Sequence, residues 1–189
     1  MSDVQLSDTT EKVPSTREAL IAAGLKCFAE SGYTGARLSD IVEQTGLTTG
    51  AFYRRFSSKA EFFHVLFVAY GDELQSALAT SGSFAEQVEA WIRVGRRHLG
   101  VVRASAEIQH LEPGEMQAQR RLREVCGGLI AQKLPDVGDW RKSRAVALML
   151  ADTVAQYVLM EAAGWVEERD PATVARALAR LVENGLYRP

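Results

Sequence analysis

Apolar residues recur along this chain at intervals of three and four, the spacing that places them on one face of an α-helix. Sustained two-residue alternation, the mark of a half-buried strand, is nearly absent, and there is no NG or DG hairpin turn. The chain therefore reads as all-α, with about nine helices. Ser15 with Glu18 three residues later fits a capping box. Behind it Leu20, Ile21, Leu25 and Phe28 form the apolar stripe of a helix over 16–31, which Gly32 ends. A short helix over 38–45 turns Leu38, Ile41 and Val42 inward and stops at Gly46. Leu47 bridges to a third short helix, capped by Thr48 and ending near Phe56. Ser58 and Glu61 form another capping box and open a long helix over 59–80, where Gly71 allows a bend.

Beyond Gly82 the helices lengthen. Ser83 and Glu86 open a helix that reaches Arg103, and a short helical piece follows over 104–111. Pro113 starts a helix to about residue 134, whose Gly127-Gly128 pair permits a kink or close packing. Asp139 caps a long helix over 140–166. Asp170-Pro171, an N-cap acid followed by proline at the first helical position, opens a last helix to Asn184. The expected organisation is a polar, disordered arm over 1–14, a helix-turn-helix domain over 15–60, and a larger helical effector-binding and dimerisation domain over 61–189.

Composition narrows the function. Of 189 residues 47% are apolar and 24% charged, enough for a real core, and the net charge is −2. Coating nucleic acid non-specifically would call for a strongly basic chain, so any such contact here must be local. Cys27 and Cys126 fall on separate predicted helices with no CxxC spacing and read as reduced, buried thiols of a cytoplasmic protein. The most apolar run, AVALMLADTVAQYVLM over 145–160, is shorter than a membrane span and carries Asp152 in its middle. The N-terminal residues contain no apolar signal core. A soluble chain without a membrane partner is expected. No Ser/His/Asp, Cys/His or paired-carboxylate constellation and no glycine-rich phosphate loop supports an enzyme, and no cofactor is expected. His98, His110 and Glu112 lie on different turns or helices with no i, i+4 pair, which argues against zinc.

The stretch TTGAFYRRFSSK, residues 48–59, is where charge concentrates: between Leu47 and Ala60 there are three positive charges and no negative one. At 100° per residue, Phe52 and Phe56 share an inward face, Arg54 points most directly outward with Gly50 and Ala51 near it, and Tyr53 and Arg55 flank it. Two short helices joined by a tight TGL turn make a helix-turn-helix. Small residues at the N-terminal end would let the second helix approach base edges. An arginine can bond guanine O6 and N7 in bidentate fashion, while tyrosine and lysine at the edges can hold phosphates and set register. Lys59 opens the next helix, where free backbone N–H groups also attract an anion. The bland alternative, a solvated helix in an all-α bundle, accounts for two adjacent arginines. It does not account for turn, cap, inward rings, outward charge and terminal lysine together.

The segment TREALIAAGLKCFAESGYTGARLSDIVEQTGLTTGAFYRRFSSKAEFFHVL, over 16–66, resembles the N-terminal domain of TetR-family transcriptional regulators. The matching features are FAESGY at the end of the first helix, DIVEQTGLTTGAFYRRF, and SK opening the fourth. The resemblance covers about a third of the chain. It implies DNA contacts at Thr48, Thr49, Gly50, Tyr53, Arg54 and Lys59, with Arg55 on the flank. The family often has Ser or Thr just before its second helix; here Ala36 and then Arg37 stand there, and Arg37 is a phosphate candidate in its place, with Arg17 a weaker one.

A reader of so few base pairs needs two copies on a near-palindrome, half-sites about 34–36 Å apart, so a homodimer is expected through the last two helices. The alanine-rich eighth helix, and Val174, Ala177, Leu178, Leu181 and Val182 on the ninth, would build a four-helix bundle across the seam. The resemblance also implies a pocket for a small-molecule effector, with the fourth helix carrying its signal to the reading heads. Candidate lining residues are Met149, Thr153, Gln156, Tyr157 and Met160 on one face of the eighth helix, Trp91 and His98 on the fifth, and Met116 on the seventh. Such a lining suits a largely apolar ligand. Asp152 is open to three readings: a paired carboxylate at the seam, a ligand anchor, or an exposed edge position. The expected function is a ligand-responsive DNA-binding regulator, a repressor released from its operator by the effector. The competing expectation is an all-α small-molecule carrier or enzyme whose N-terminal bundle binds no DNA, and activation in place of repression leaves no mark on the sequence.

Overall fold

The computed structural model of the chain describes residues 15–108, 113–134 and 144–185. Nine α-helices run through them: α1 (Thr16–Gly35), α2 (Leu38–Thr45), α3 (Thr49–Tyr53), α4 (Lys59–Thr80), α5 (Phe84–Arg97), α6 (Leu99–Ile108), α7 (Pro113–Lys133), α8 (Arg144–Ala162) and α9 (Pro171–Arg180). A π-helical turn, Leu181–Gly185, continues the last. No strand occurs among the described residues. The N-terminal arm, His110, Glu112 and the expected Asp139 cap lie outside the described residues.

Local chemistry explains most helix starts. The Ser15 hydroxyl accepts the Glu18 N–H and the Glu18 carboxylate accepts the Ser15 N–H at 2.7 Å, a complete capping box. Ser58 and Ser83 supply only the hydroxyl half, to Glu61 and Glu86. The two carboxylates reach one residue further back, to the N–H of Ser57 and of Gly82, each at 2.6 Å. Asp170 caps α9 through the Thr173 N–H, with Pro171 at its first position.

Four boundaries differ from expectation, one being the end of α8, which stops at Ala162, four residues short of 166, with Gly164 at φ 73 beyond it. Gly32 breaks α1 with φ 68 and ψ −174, but the helix resumes to Gly35 rather than ending. α3 stops at Tyr53, three residues short of Phe56. The helix expected to run to Arg103 divides at His98, whose φ −107 and ψ 29 leave the helical range. The division lets α6 lie directly on α1: a Cβ at Gly100 would stand 2.1 Å from the Leu25 carbonyl oxygen.

An aromatic cluster ties α1, α3 and α4 together. Phe28, Tyr33, Phe52, Phe56, Phe62 and Phe63 are all buried, and Phe56 and Phe62 approach to 4.8 Å between ring centroids. The remaining core belongs to α4–α9, where Trp91, Ile92, Ile108, Ile130 and Val158 are buried. α8 requires a correction. The stretch Ala145–Ala162 is long and apolar enough, by length and composition, to cross a membrane, although the run within it looked too short. It packs against α5, α6 and α7, yet only 22% of it is buried within the chain.

Candidate nucleic-acid interface and interhelical cavity

The head is built on the turn between α2 and α3. Gly46 takes φ 66, a left-handed conformation that suits glycine, and Thr45 folds its hydroxyl onto the Val42 carbonyl at 2.7 Å. Thr48 then caps α3 through the Ala51 N–H. Phe52 has no exposed surface and Phe56 is 4% exposed. Their burial turns Thr49, Gly50, Tyr53 and Arg54 outward, all exposed. A Cβ at Gly50 would meet only the Thr48 hydroxyl, at 3.8 Å, so the helix surface there is open to close approach. Arg55 is exposed, with one guanidinium nitrogen 3.5 Å from the Ala51 carbonyl.

Two expected features, Ala51 and Lys59, stand differently, while Arg37 stands as expected. Ala51 is 6% exposed and belongs to the inward face, because α3 is anchored by its side chain as well as by the rings. Arg37 occupies the N-cap of α2 and makes no side-chain cap bond, leaving its side chain exposed. Lys59 is engaged internally: its ammonium donates to the Tyr33 carbonyl at 2.8 Å and the Ala36 carbonyl at 3.0 Å, and lies 4.4 Å from the centre of the Tyr33 ring. Burial holds its pKa below the ordinary lysine value, against the pull of the Glu107 carboxylate. Lys59 thus bolts the end of α1 to the start of α4.

α6 grips the head from the other side. Arg103 donates to the Ala29 carbonyl at 2.6 Å and the Glu30 carbonyl at 3.1 Å. Glu107 accepts the Thr34 N–H at 2.8 Å, and its carboxylate fills the space a side chain at Gly32 would need. The opposite face of the same helix, through Val102, Ser105 and Ala106, lines a cavity of about 260 Å³. α4 contributes Phe67 and Tyr70 to that cavity, α5 contributes Trp91, and α7 contributes Gln119, Leu122 and Arg123. α8 completes it with Asp152, Gln156 and Leu159 among others. Arg123 and Asp152 form an ion pair at 3.2 Å, both about half exposed. Of the three readings of Asp152, the structure gives a partly exposed position on the cavity lining.

The expected ligand residues scatter. Trp91 and Gln156 line this cavity. Met160, with Gln156 again, lines a second one beside Trp165. Thr153 and Tyr157 face a third, between α5, α8 and α9. His98, Met116 and Met149 line none of these. The His98 ring bonds the Glu73 carboxylate at 2.7 Å, Met116 is 38% exposed and Met149 70% exposed. Ser105, Gln119 and Arg123, which do line the first cavity, carried no distinguishing pattern in the sequence. The buried thiols match expectation: Cys27 accepts a bond from Gln44, and burial pushes Cys126 up to about 12.

Residues 20–66 match the family model described as bacterial regulatory proteins, tetR family. The chain is 34% identical over 58 residues to the HTH-type transcriptional repressor AcnR of Corynebacterium efficiens, a match covering 31% of each chain. Less than a third of that relative's length is therefore matched. Over nearly the whole chain it shares its fold with a transcriptional regulator from Rhodococcus sp. Rha1, at TM-score 0.72 and 21% identity, covering 93% of this chain and all of that one. It likewise resembles the TetR family transcriptional regulator PfmR of Thermus thermophilus, at TM-score 0.69 and 20% identity, covering 94% of this chain and 100% of the other.

Proposed function

We propose that this chain, whose residues 20–66 match the tetR family model, is a ligand-responsive transcriptional repressor of that family, acting as a homodimer on a near-palindromic operator in the cytoplasm. The observation that carries the reading is α3 and its C-cap: Thr49, Gly50, Tyr53 and the C-cap Arg54 are exposed while Phe52 on the helix and Phe56 behind it are buried. Arg54 is the base-reading group, aimed at guanine. Tyr53, Thr48, Thr49, Arg37 and Arg55 hold phosphates. Lys59 serves as a strut that orients α3 and α4 rather than as a phosphate contact.

The partner face is α8 with α9. Met149 and Leu181 are exposed there, together with Ala177 and Thr153, and an apolar helix left uncovered by its own chain needs a second copy to cover it. The effector is a small, largely apolar molecule in the cavity between α4 and α8. Its routes to the head are α4, as expected, which places Phe67 and Tyr70 in the cavity and Phe62 and Phe63 in the head, and α6, whose one face lines the cavity while the other holds α1 through Gly100, Arg103 and Glu107. A coupling of about 1–3 kcal/mol suffices for regulation.

Selection of bound fragments from random duplex DNA tests the reading. An enriched near-palindrome is expected, and Arg54→Ala should cost about 1–3 kcal/mol and relax preference at one position per half-site. Lys59→Met should leave the salt dependence of binding unchanged, whereas losing a phosphate contact lowers that slope by about one unit per site. Failure to enrich any sequence at low salt overturns the regulator reading and favours a carrier or enzyme.

A further inference from the structure

Two residues that line the cavity carry polar atoms that are buried behind its wall and have no hydrogen-bond partner among the described residues. Trp91 is 5% exposed and its indole Nε1 is buried with no hydrogen-bond partner. The Ser105 hydroxyl on α6 is also buried and unpartnered. Both residues line the same cavity. Tyr70 lines the same cavity, and burial raises its pKa, so it stays a neutral O–H. Gln119 is different: its amide is occupied by the Ser105 carbonyl at 3.1 Å. An unsatisfied buried donor costs about 1–3 kcal/mol, and an indole N–H can only donate.

What would complete the site follows from those groups. The complement of an N–H and an O–H is an acceptor atom. It is an uncharged one, because the one cation among the described lining residues, Arg123, is already paired with Asp152. A carboxylate placed beside Trp91 would be desolvated without a counter-charge. Around the donors the wall is apolar and aromatic: Phe67, Val102, Leu122 and Leu159.

We propose, resting on the reading of this cavity as the effector site, that the effector is a neutral, largely apolar molecule bearing a carbonyl-type oxygen that accepts from Trp91 Nε1 and the Ser105 hydroxyl. Seating that oxygen presses on α6 at Ser105, which stands midway between Arg103 and Glu107 in the chain, the two groups that hold α1.

Three matched probes test this on the full chain by equilibrium dialysis: 2-acetylnaphthalene, 2-ethylnaphthalene, which lacks the acceptor, and 2-naphthoate, which carries a charge. The ketone should bind about fivefold to tenfold more tightly than the hydrocarbon, with the naphthoate weakest. In Ser105→Ala and in Trp91→Phe that ratio should fall towards one while 2-ethylnaphthalene binds as before. Ser105→Ala removes a single atom, so it remains informative if Trp91→Phe disturbs folding. Equal binding of ketone and hydrocarbon, a ratio that survives both substitutions, or preference for the naphthoate overturns the proposal. In those cases the effector reading of the cavity still stands if Ala155→Phe, which fills it, abolishes binding. Binding of none of the three overturns the cavity reading and this inference with it.

Discussion

The N-terminal head and the helical body share one hydrophobic core but supplement it differently. In the head, buried rings from α1, from α3 with the turn behind it, and from α4 pack on one another, and Phe52 and Phe62 meet edge to face at 5.4 Å. In the body, polar straps cross gaps between helices. Gln87 donates to the carbonyls of Leu78 and Leu129 at 3.1 and 3.0 Å. Arg96 grips Glu161 with two bonds of 2.7 Å and reaches the Arg169 carbonyl at 2.6 Å. The body also leaves donors unused and an apolar helix uncovered. A close-packed head keeps one shape, as the proposed reading of base edges would require. A strapped body with open space can rearrange around a ligand, as the proposed effector response would require.

The sharpest way to break the contrast is Phe52→Ala. Phe52 contacts Tyr53, Phe56 and Phe62 and is fully buried, so the truncation should cost about 3–5 kcal/mol. Denaturant unfolding followed by circular dichroism measures it. A loss below about 1 kcal/mol, typical of sites outside a packed core, would mean the head is not the rigid half.

Next comes the Arg96 strap. Arg96→Met leaves Glu161 without its main partner in a site where the carboxylate side chain is 7% exposed, and a loss of about 2 kcal/mol is expected after discounting for the quarter-exposed guanidinium. The pH profile carries the sign. Burial works to raise the Glu161 pKa, but the bonds from Arg96, Tyr157 and the Arg169 N–H outweigh it and hold the folded value below 4.5. The folded pKa is thus depressed, so its stabilisation is present above pH 4.5 and is lost as pH falls through the folded value. The gap between wild type and Glu161→Gln, measured by unfolding at several pH values, should be constant near neutrality and close in acid. A gap that widens in acid would contradict the assignment.

The same division explains what the sequence allowed one to read. α3 was legible because ring positions, a threonine cap and a glycine turn all act within a few residues, so periodicity alone separates Phe52 and Phe56 from Arg54. The buried side of Ala51 was missed because its small side chain, next to Phe52, carries no signal of the neighbouring helices that cover it. Lys59 looked like a surface cation, since nothing local reveals that the carbonyls of Tyr33 and Ala36, more than twenty residues away, receive it. The break at His98 was hidden by continuous helical periodicity; it arises from the packing of Gly100 on α1. On α8, one face was read as one pocket. The structure divides that face among two cavities, the groove against α9 and open surface, because a helix with several partners shows each of them only a few side chains.

The smallest effect sharpens the comparison most. Ser105→Ala deletes a hydroxyl that is buried and unpartnered. In the head, deleting a buried group removes contacts and must destabilise. At Ser105 there is no bond to lose and a desolvation cost to relieve, offset by the small packing loss of one oxygen. The change in stability should therefore lie within about 0.5 kcal/mol of zero or favour the variant. At the same time, effector-induced release from DNA should weaken about fivefold, read as a shift in the effector concentration needed for half release. Stability and response would then move independently at one atom, as expected where a group is kept for a ligand rather than for the fold. A clear destabilisation with unchanged response would instead place Ser105 among the structural straps, its hydroxyl satisfied in solution by a bound water.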